Sequence, residues 1–216
     1  MRAVEAGQAA STSSAIQAYC VIQIKDGVKR KKLAELCGPQ EKVWRCGAFF
    51  VICGDTRRHR LACRRDGLAY DAKHEAYLLS VIDATLFAQN FVLALESMGY
   101  GICYIGGLRL HLFEVDRVLE LPEGVYPLYG LCVGVPDESP MPRPRFAPEA
   151  ILFEDRYPTD NEVFESLADY DGTYEAYLKD RGATPKAWSR VMTEKFSEPR
   201  RVDVGAYYRS KGAVME

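Results

Sequence analysis

The sequence has almost no net charge and no uninterrupted apolar run long enough to span a membrane. Its 28 lysines and arginines nearly cancel 30 aspartates and glutamates, which leaves a formal charge of −2. The chain therefore lacks a net basic field that could hold nucleic acid or an anionic membrane. The opening MRAVEAGQAASTSS has neither an apolar core nor a basic lead. We expect no nucleic-acid partner, no membrane partner and a cytoplasmic location.

Several motifs that would indicate a particular chemistry are also absent. The sequence contains no CxxC, HExxH or GxSxG, and neither a phosphate-binding P-loop nor the GxGxxG of dinucleotide-binding folds. Its three histidines are far apart, so we expect no metal site. A cysteine nucleophile paired with His59 or His111 stays open, but nothing local supports it. We predict that the seven cysteines are buried thiols, and that any nucleotide is held without these motifs.

The 216 residues, 48% of them hydrophobic, suffice for one sizeable core. Apolar and β-rich runs predict strands at residues 15–24, 48–53 and 126–135 and in the segment GICYIGG. A helix capped by Asp26 is predicted at residues 27–36, and further helices at 71–98 and 112–119. The charged segment 55–67 is predicted as a loop or short helix. Residues 161–212 are predicted to be helical and to cover another surface, because they cannot form a core alone.

Three polar clusters flank these apolar strands. They are the run of hydroxyls at residues 11–14, the turn at residues 104–107 and the arginine pair in the segment RPR. Each alone is ordinary loop chemistry. Together they suit one ligand, because hydroxyls can bind a polar ring edge, glycines admit a flat ring, and guanidiniums bind phosphate.

Five segments carry a resemblance to a known family: QAASTSSAIQAYCVIQI, LCGPQEKV, VIDATLFAQNFVLALESMGYGICYIGGLR, LPEGVYPLYGLCVGVPDESPMPRPRFAPEAILFEDRY and YLKDRGATPKAW. The chain resembles the oxygen-insensitive NADPH nitroreductase and flavin reductase P group of the nitroreductase superfamily. The resemblance implies an α+β fold of three α/β/α layers, with a mixed, mainly antiparallel sheet flanked by helices. It implies a single domain, with a flavin-binding core at residues 1–152 and a helical extension at 153–216 that embraces the partner in a homodimer.

The same resemblance implies which residues bind the cofactor FMN and the hydride donor NADPH. Arg181 would meet the NADPH 2′-phosphate, and Arg201, with Arg200 as a rival, the nicotinamide or the acceptor. No side chain is expected to be catalytic, because the flavin N5 carries the chemistry beside the backbone N–H groups of the glycine pair. The residues implied to bind FMN are Thr12, Ser13, Ser14, Gln40, Tyr104, Ile105, Gly106, Gly107, Arg143 and Arg145.

Two departures from the family pattern stand out. The family opens with a helix and an HRSxR-like segment that grips the FMN phosphate, and this sequence begins after that point. Either Met1 is an internal methionine or the protein is shortened, and shortening would weaken FMN binding. In addition, Ala15 stands where the family often has an aromatic residue, which should widen the acceptor pocket.

The activity implied is two-electron, ping-pong hydride transfer from NAD(P)H to small nitroaromatic, quinone or flavin acceptors. Two alternatives stay open. One is a non-catalytic or flavin-sequestering paralogue with weak FMN binding. The other is a dedicated flavin reductase that releases reduced FMN to a partner.

Overall fold

The computed structural model describes residues 1–213. Helices alternate with four strands along the chain, and short 3₁₀ turns connect some of them at Ser13–Ala15, Gly106–Leu110 and Pro148–Ala150. In chain order the elements are α1 Arg2–Gln8, β1 Tyr19–Ile24, α2 Gly27–Leu36, α3 Glu41–Arg45, β2 Ala48–Asp55, α4 Arg57–Arg65, α5 Lys73–Ser97, β3 Gly101–Ile105, α6 Leu112–Leu119, β4 Val125–Gly134, α7 Asp160–Asp180, α8 Trp188–Phe196 and α9 Val204–Ser210.

Most elements lie where the sequence patterns predict them. The Asp26 carboxylate accepts a hydrogen bond from the Lys29 backbone N–H at 2.8 Å and so caps α2 as expected. Strand β1 starts only at Tyr19, since residues 13–15 form a turn in which Ser14 has a left-handed φ of 45°. Helices α1 and α3 were not expected, because both are too short to show a clear helical period.

The four strands form one antiparallel sheet in the order β1-β2-β4-β3. The register of β2 against β4 shifts between Ile52 and Cys53, where Pro127 lies opposite Cys53. Proline cannot donate to a strand ladder, so a bulge at this point lets a central strand contain it. The Tyr208 hydroxyl donates to the Pro127 carbonyl oxygen at 2.7 Å, which ties α9 to the same irregularity.

Strand β2 shows why the sheet carries helices on both faces. Phe49 and Val51 belong to an apolar cluster with residues of α2, α3 and α6. The side chain of Ile52 points the other way, into a cluster with Ala84 and Ala88 of α5. Because successive side chains of a strand alternate between faces, a strand that is apolar throughout must be covered twice. The three-layer α+β arrangement is confirmed.

Helix α5 packs on the sheet through one face only. It contacts β1, β2, β3 and α1 and buries Phe87 and Phe91 there. By length and composition alone, this helix could cross a membrane, but its buried face identifies it as a core helix. Its opposite face exposes a row of leucine and isoleucine side chains at helical spacing, each with 43–54% of its surface accessible: Leu78, Ile82, Leu86 and Leu93.

The chain divides into two compact units. The first is Met1–Asp137 together with the stretch that begins at Arg201, and the second is Glu138–Arg200. In the second unit the Phe146 ring stacks on Tyr170 with centroids 4.1 Å apart, and Trp188 packs against both rings. The predicted helical extension is therefore shared between units: α7 and α8 lie in the second, and α9 packs in the first. Residues 214–216 of that predicted extension lie outside the described residues.

Gly130 of β4 lies where two strands come close enough to exclude a side chain. A Cβ atom built there would lie 2.5 Å from the Phe49 ring and 3.2 Å from the Ile105 Cβ. We expect Gly130→Ala to lower the free energy of unfolding by about 1–3 kcal/mol, since both neighbours are fully packed. Denaturant unfolding measures this change. Gly27→Ala is the matched control, because nothing lies within 4 Å of a Cβ at that position. An equal loss of stability in both variants would contradict the packing argument.

Candidate active site

A buried carboxylate on α5 holds the hydroxyl-rich loop that precedes β1. Asp83 is 1% exposed, and its Oδ2 accepts hydrogen bonds from the Thr12 hydroxyl at 2.5 Å and the Ala18 N–H at 3.1 Å. Its Oδ1 accepts from the Ser13 N–H at 3.3 Å. A buried charge requires such partners, and here all three come from a single loop. Asp83 therefore fixes the path of residues 12–18.

This arrangement divides the predicted hydroxyl cluster into two roles. The Thr12 oxygen donates to Asp83 and also accepts from the Gln17 N–H at 2.9 Å, so it is engaged within the loop. Ser13 and Ser14 are exposed. Ser14 and Gln17 also have left-handed φ values of 45° and 48°, an unfavourable conformation for non-glycine residues that the surrounding contacts must hold. Thr12 thus shapes the loop, whereas Ser13 and Ser14 are the hydroxyls that it presents.

The glycine pair begins the 3₁₀ turn that follows β3, and Gln40 lies against it. A Cβ atom at Gly107 would lie 2.1 Å from the Cys37 carbonyl oxygen and 2.8 Å from the Gln40 Nε2, so no other residue fits. The Gln40 Nε2 donates to that same Cys37 oxygen at 3.0 Å. The first N–H groups of a helical turn have no partner inside it. The fold therefore brings Gln40 into contact with a turn that can offer backbone donors.

Tyr104 and Ile105 precede this turn on β3 and face opposite sides of the sheet. The Tyr104 side chain is 40% exposed, whereas Ile105 is 1% exposed and belongs to the core. Only the Ile105 backbone can therefore face a ligand. The Tyr104 hydroxyl donates to the Gln89 Oε1 at 3.5 Å, and its ring meets Tyr129 edge-on at 5.5 Å. Partial burial raises the pKa of Tyr104 to about 12, which keeps the phenol protonated at neutral pH.

Helix α5 links two of the predicted segments. Its Asp83 side chain binds the hydroxyl-rich loop before β1, and its Gln89 side chain accepts a hydrogen bond from Tyr104. These anchor residues are six positions apart, which is about 9 Å along the helix axis. The loop of residues 12–18 and the Tyr104 side chain therefore both contact α5.

Arg201 lies in a cleft that adjoins the glycine turn. The cleft has a volume of about 110 Å³ and is lined by Arg109, His111, Glu114, Arg201 and Asp203, among others. The Arg109 Nη1 donates to the Leu128 carbonyl oxygen at 2.5 Å, which fixes one wall. Arg201 has a left-handed φ of 54°. Its rival in the sequence prediction, Arg200, is exposed and belongs to the second unit.

The other predicted arginines lie in the second unit, where two of them meet one tyrosine. The Arg181 Nη1 donates to the Tyr177 hydroxyl oxygen at 3.0 Å, and the positive charge of Arg143 also acts on this phenol. Burial opposes ionisation of Tyr177, but these two guanidiniums outweigh it and lower the pKa of the phenol. The Arg145 Nη1 donates to the carbonyl oxygens of Arg143 and Pro144 at 3.0 and 3.1 Å. The fold therefore gathers Arg143 and Arg181 around Tyr177.

Comparison with known proteins covers almost the whole chain. Residues 1–135 match the nitroreductase family, and residues 143–215 match the C-terminal domain of that family. The chain belongs to the nitroreductase family. It is 40% identical over 212 residues to a Cr(VI) reductase of Pseudomonas sp. strain G-1, with 97% of this chain and 87% of that protein aligned. It is 38% identical over 215 residues to an FMN reductase (NADPH) of Bacillus subtilis, with 97% and 86% aligned.

A solved structure supports the same assignment. The NfrA1 nitroreductase from B. subtilis superposes with a TM-score of 0.94 at 36% identity, over 99% of this chain and 89% of that chain. The fold, the order of elements and the family are therefore consistent with one another.

Three residues of this nitroreductase family member escaped the sequence analysis. Asp83 carried a signal, because it is an isolated acidic residue in the apolar segment VIDATLF, and a buried carboxylate must bind donors. Arg109 and Tyr177 carried none, since an arginine after a turn and a tyrosine on a charged helix are ordinary surface residues.

Removal of the Asp83 carboxylate should loosen the loop that it holds. We expect Asp83→Ala to lower the free energy of unfolding by about 2–3 kcal/mol, because three donors lose a charged acceptor. We also expect faster hydrogen exchange at the Ser13 and Ala18 amides, which NMR or mass spectrometry can measure. Glu75→Gln is the control, an exposed carboxylate at the start of the same helix. Unchanged exchange at both amides would show that Asp83 does not hold the loop.

Proposed function

We propose that this member of the nitroreductase family is an FMN-dependent NADPH oxidoreductase that reduces small electron-poor acceptors. The acceptors are nitroaromatic compounds, quinones or flavins. The observation that carries the proposal is similarity over nearly the full chain to an FMN reductase (NADPH). In addition, two of the predicted ring-binding segments contact the same helix, α5.

The donors and acceptors of the first unit fit the edge of a flavin ring. Ser13 and Ser14 offer hydroxyls, which can donate to or accept from the polar atoms of the ring or the ribityl chain. Gln40 adds an amide that the Cys37 carbonyl already orients. At Gly107 a side chain is sterically excluded, so the backbone itself is available to approach a planar ligand. The set is polar and uncharged, and it can donate to and accept from the polar edge of a neutral heterocycle.

Arginines of the second unit suit the anionic parts of FMN and NADPH. We assign the FMN phosphate to Arg143 and Arg145, and the NADPH 2′-phosphate to Arg181. A guanidinium binds phosphate through two parallel N–H donors, which gives both charge and geometry. Arg201 of the first unit is assigned to the nicotinamide or the acceptor, because it lines a cleft beside the glycine turn.

The chemistry of the reaction belongs to the cofactor, and the chain positions the reactants. When bound, FMN would supply two-electron hydride chemistry between NADPH and a small acceptor, in the ping-pong order expected from the resemblance. The backbone N–H groups of Gly106 and Gly107 are assigned to the region of the flavin N5. Tyr104 stays protonated at neutral pH and can donate a hydrogen bond but cannot act as a base. No side chain is assigned as a general acid or base.

The functional unit is proposed to be a cytoplasmic homodimer. A second copy would cover the row of exposed apolar side chains on α5, which is a large apolar surface to leave in water. The division into a flavin-binding core at residues 1–152 and a partner-embracing extension at 153–216 stays a prediction.

An absorbance spectrum tests cofactor binding and competence together. We expect the purified protein, supplied with FMN and desalted, to retain the yellow colour of bound flavin. Anaerobic addition of NADPH should bleach it, and a nitroaromatic compound or a quinone should restore it. A protein that retains FMN but is not bleached would bind the cofactor without reducing it, and a protein that retains none would fit the paralogue with weak FMN binding. Either outcome would contradict the proposal. If free FMN competes with the nitro compound during turnover, the physiological acceptor is flavin.

Coenzyme preference tests the role of Arg181. We expect Arg181→Ala to lower kcat/KM for NADPH by about tenfold or more, since one charge-assisted contact to the 2′-phosphate is lost. The value for NADH, which has no 2′-phosphate, should change little. Lys179→Ala is the control, because this exposed cation lies in the last turn of α7, two residues before Arg181. An equal loss with both coenzymes would refute the assignment of Arg181.

A further inference from the structure

The seven cysteines differ more in their surroundings than the sequence predicts. All seven are free thiols, but only Cys37, Cys53 and Cys132 are buried, so the prediction that all of them are buried is wrong for the other four. Three pairs of thiols lie close in space. Cys20 lies opposite Cys53 across β1 and β2, and Cys103 lies opposite Cys132 across β3 and β4. Cys46, after α3, also lies beside Cys132.

Cys46 has a guanidinium held against its sulfur. Arg30 of α2 donates through Nε to the Val43 carbonyl oxygen at 3.1 Å and through Nη2 to the Cys46 carbonyl oxygen. These acceptors at the end of α3 orient the guanidinium, and its Nη2 also lies 3.1 Å from the Cys46 Sγ. When protonated, the Cys46 thiol can donate to the Ala48 carbonyl oxygen at 3.1 Å. When the Cys46 thiol ionises, it can no longer donate to Ala48, and its sulfur instead accepts from the Arg30 guanidinium.

Cys132 of β4 also contacts the end of α3. Its Sγ donates to the Lys42 carbonyl oxygen at 3.5 Å, and the Cys46 backbone N–H donates to the same oxygen at 3.0 Å. The two cysteines thus share one acceptor atom, which brings the Cys132 thiol next to Cys46. Cys132 is 5% exposed, whereas Cys46 is partly accessible to solvent.

These contacts act on the two thiols in opposite directions. The hydrogen bond from the Cys132 thiol, followed by Arg30, outweighs partial burial and lowers the pKa of Cys46 to about 6. The same contact with Cys46, together with burial, raises the pKa of Cys132 well above its usual range. At neutral pH one member of the pair is therefore a thiolate and the other a thiol.

We propose that Cys46 is a peroxide-reactive thiolate and that Cys132 resolves its oxidised form as an intramolecular disulfide. The oxidant is hydrogen peroxide or another small hydroperoxide, for which the partly exposed sulfur of Cys46 is accessible.

Both steps balance. The Cys46 thiolate attacks one peroxide oxygen, so that an S–O bond forms, the O–O bond breaks and hydroxide leaves to take up a proton as water. Cys46 is oxidised by two electrons to the sulfenic acid while the peroxide is reduced. The Cys132 sulfur then attacks the Cys46 sulfur and loses its proton. The S–S bond forms, the S–O bond breaks, and the second water leaves.

The Cys20–Cys53 pair provides a control inside the same chain. It also joins two thiols in contact, but Cys53 lies fully buried in the core, and its contact with Cys20 and its burial both raise its pKa. The described contacts of Cys53 include no guanidinium, and its thiol faces the Val51 carbonyl oxygen at 4.0 Å. The proposal therefore requires oxidation at Cys46–Cys132 and not at Cys20–Cys53.

Peptide mapping of the full-length, flavin-loaded protein tests the proposal. After a brief treatment with hydrogen peroxide and alkylation of free thiols, we expect a disulfide between Cys46 and Cys132, with Cys20 and Cys53 alkylated. In Cys132→Ser the reaction should stop at Cys46 and yield a sulfenic-acid adduct with dimedone. The proposal is overturned if Cys46 and Cys132 stay reduced, or if Cys103 or the Cys20–Cys53 pair is oxidised first.

Alkylation rates separate thiolate activation from mere exposure. We expect labelling of Cys46 by iodoacetamide to rise with pH around a midpoint near 6, because the thiolate and not the thiol reacts. Arg30→Lys keeps the charge but loses the planar fork that spans the carbonyl oxygens and the sulfur. This variant should slow labelling at pH 7 by about tenfold, given the higher thiol pKa expected without the oriented guanidinium. A midpoint near that of an ordinary thiol in the unaltered protein would also overturn the proposal.

Discussion

The interaction between the buried Asp83 carboxylate and the loop before β1 joins the central helix α5 to the first strand of the sheet and to the candidate site. Asp83 lies inside α5, the helix that covers one face of the sheet, and it accepts from three donors in residues 12–18. A carboxylate in the core is tolerated only when its lone pairs are used. The loop must therefore follow the helix, and the start of β1, the left-handed turn at Ser14 and the exposure of two serine hydroxyls all depend on this constraint.

Most helices and strands could be predicted from the sequence because capping residues and apolar spacing mark them locally. The boundaries of α2 and α6 match the prediction, since Asp26 caps the first and the apolar spacing of the second is regular. The run FFVIC indicated a strand buried on both faces, and β2 is one. Short helices such as α3 have no comparable signal. Such helices are stabilised by residues elsewhere in the chain. Here Arg30 of α2 donates to the Val43 and Cys46 carbonyl oxygens at the end of α3.

The candidate site was predictable as a set of segments but not as a set of contacts. The resemblance pointed to Gln40 and to the glycine pair, and the structure shows the physical link between them, because a side chain at Gly107 would collide with Cys37 and Gln40. The different roles of Thr12 and of the two serines could not be predicted from the sequence, because they depend on which hydroxyl binds Asp83. Likewise, nothing local in the sequence indicates that Cys46 and Cys132, 86 positions apart, share the Lys42 carbonyl oxygen.

The contact of Tyr177 with two arginines has a consequence for the entropy of ligand binding. A free arginine side chain samples many rotamers, and holding it still to receive an anion costs part of the binding free energy. Arg181 also lies over the Tyr177 ring, with its Cζ 5.5 Å from the ring centroid, so this guanidinium is restrained by both a hydrogen bond and a cation–π contact. An anion that binds beside Tyr177 therefore interacts with an Arg181 guanidinium whose conformational freedom is already reduced, and the phenol supplies that preorganisation.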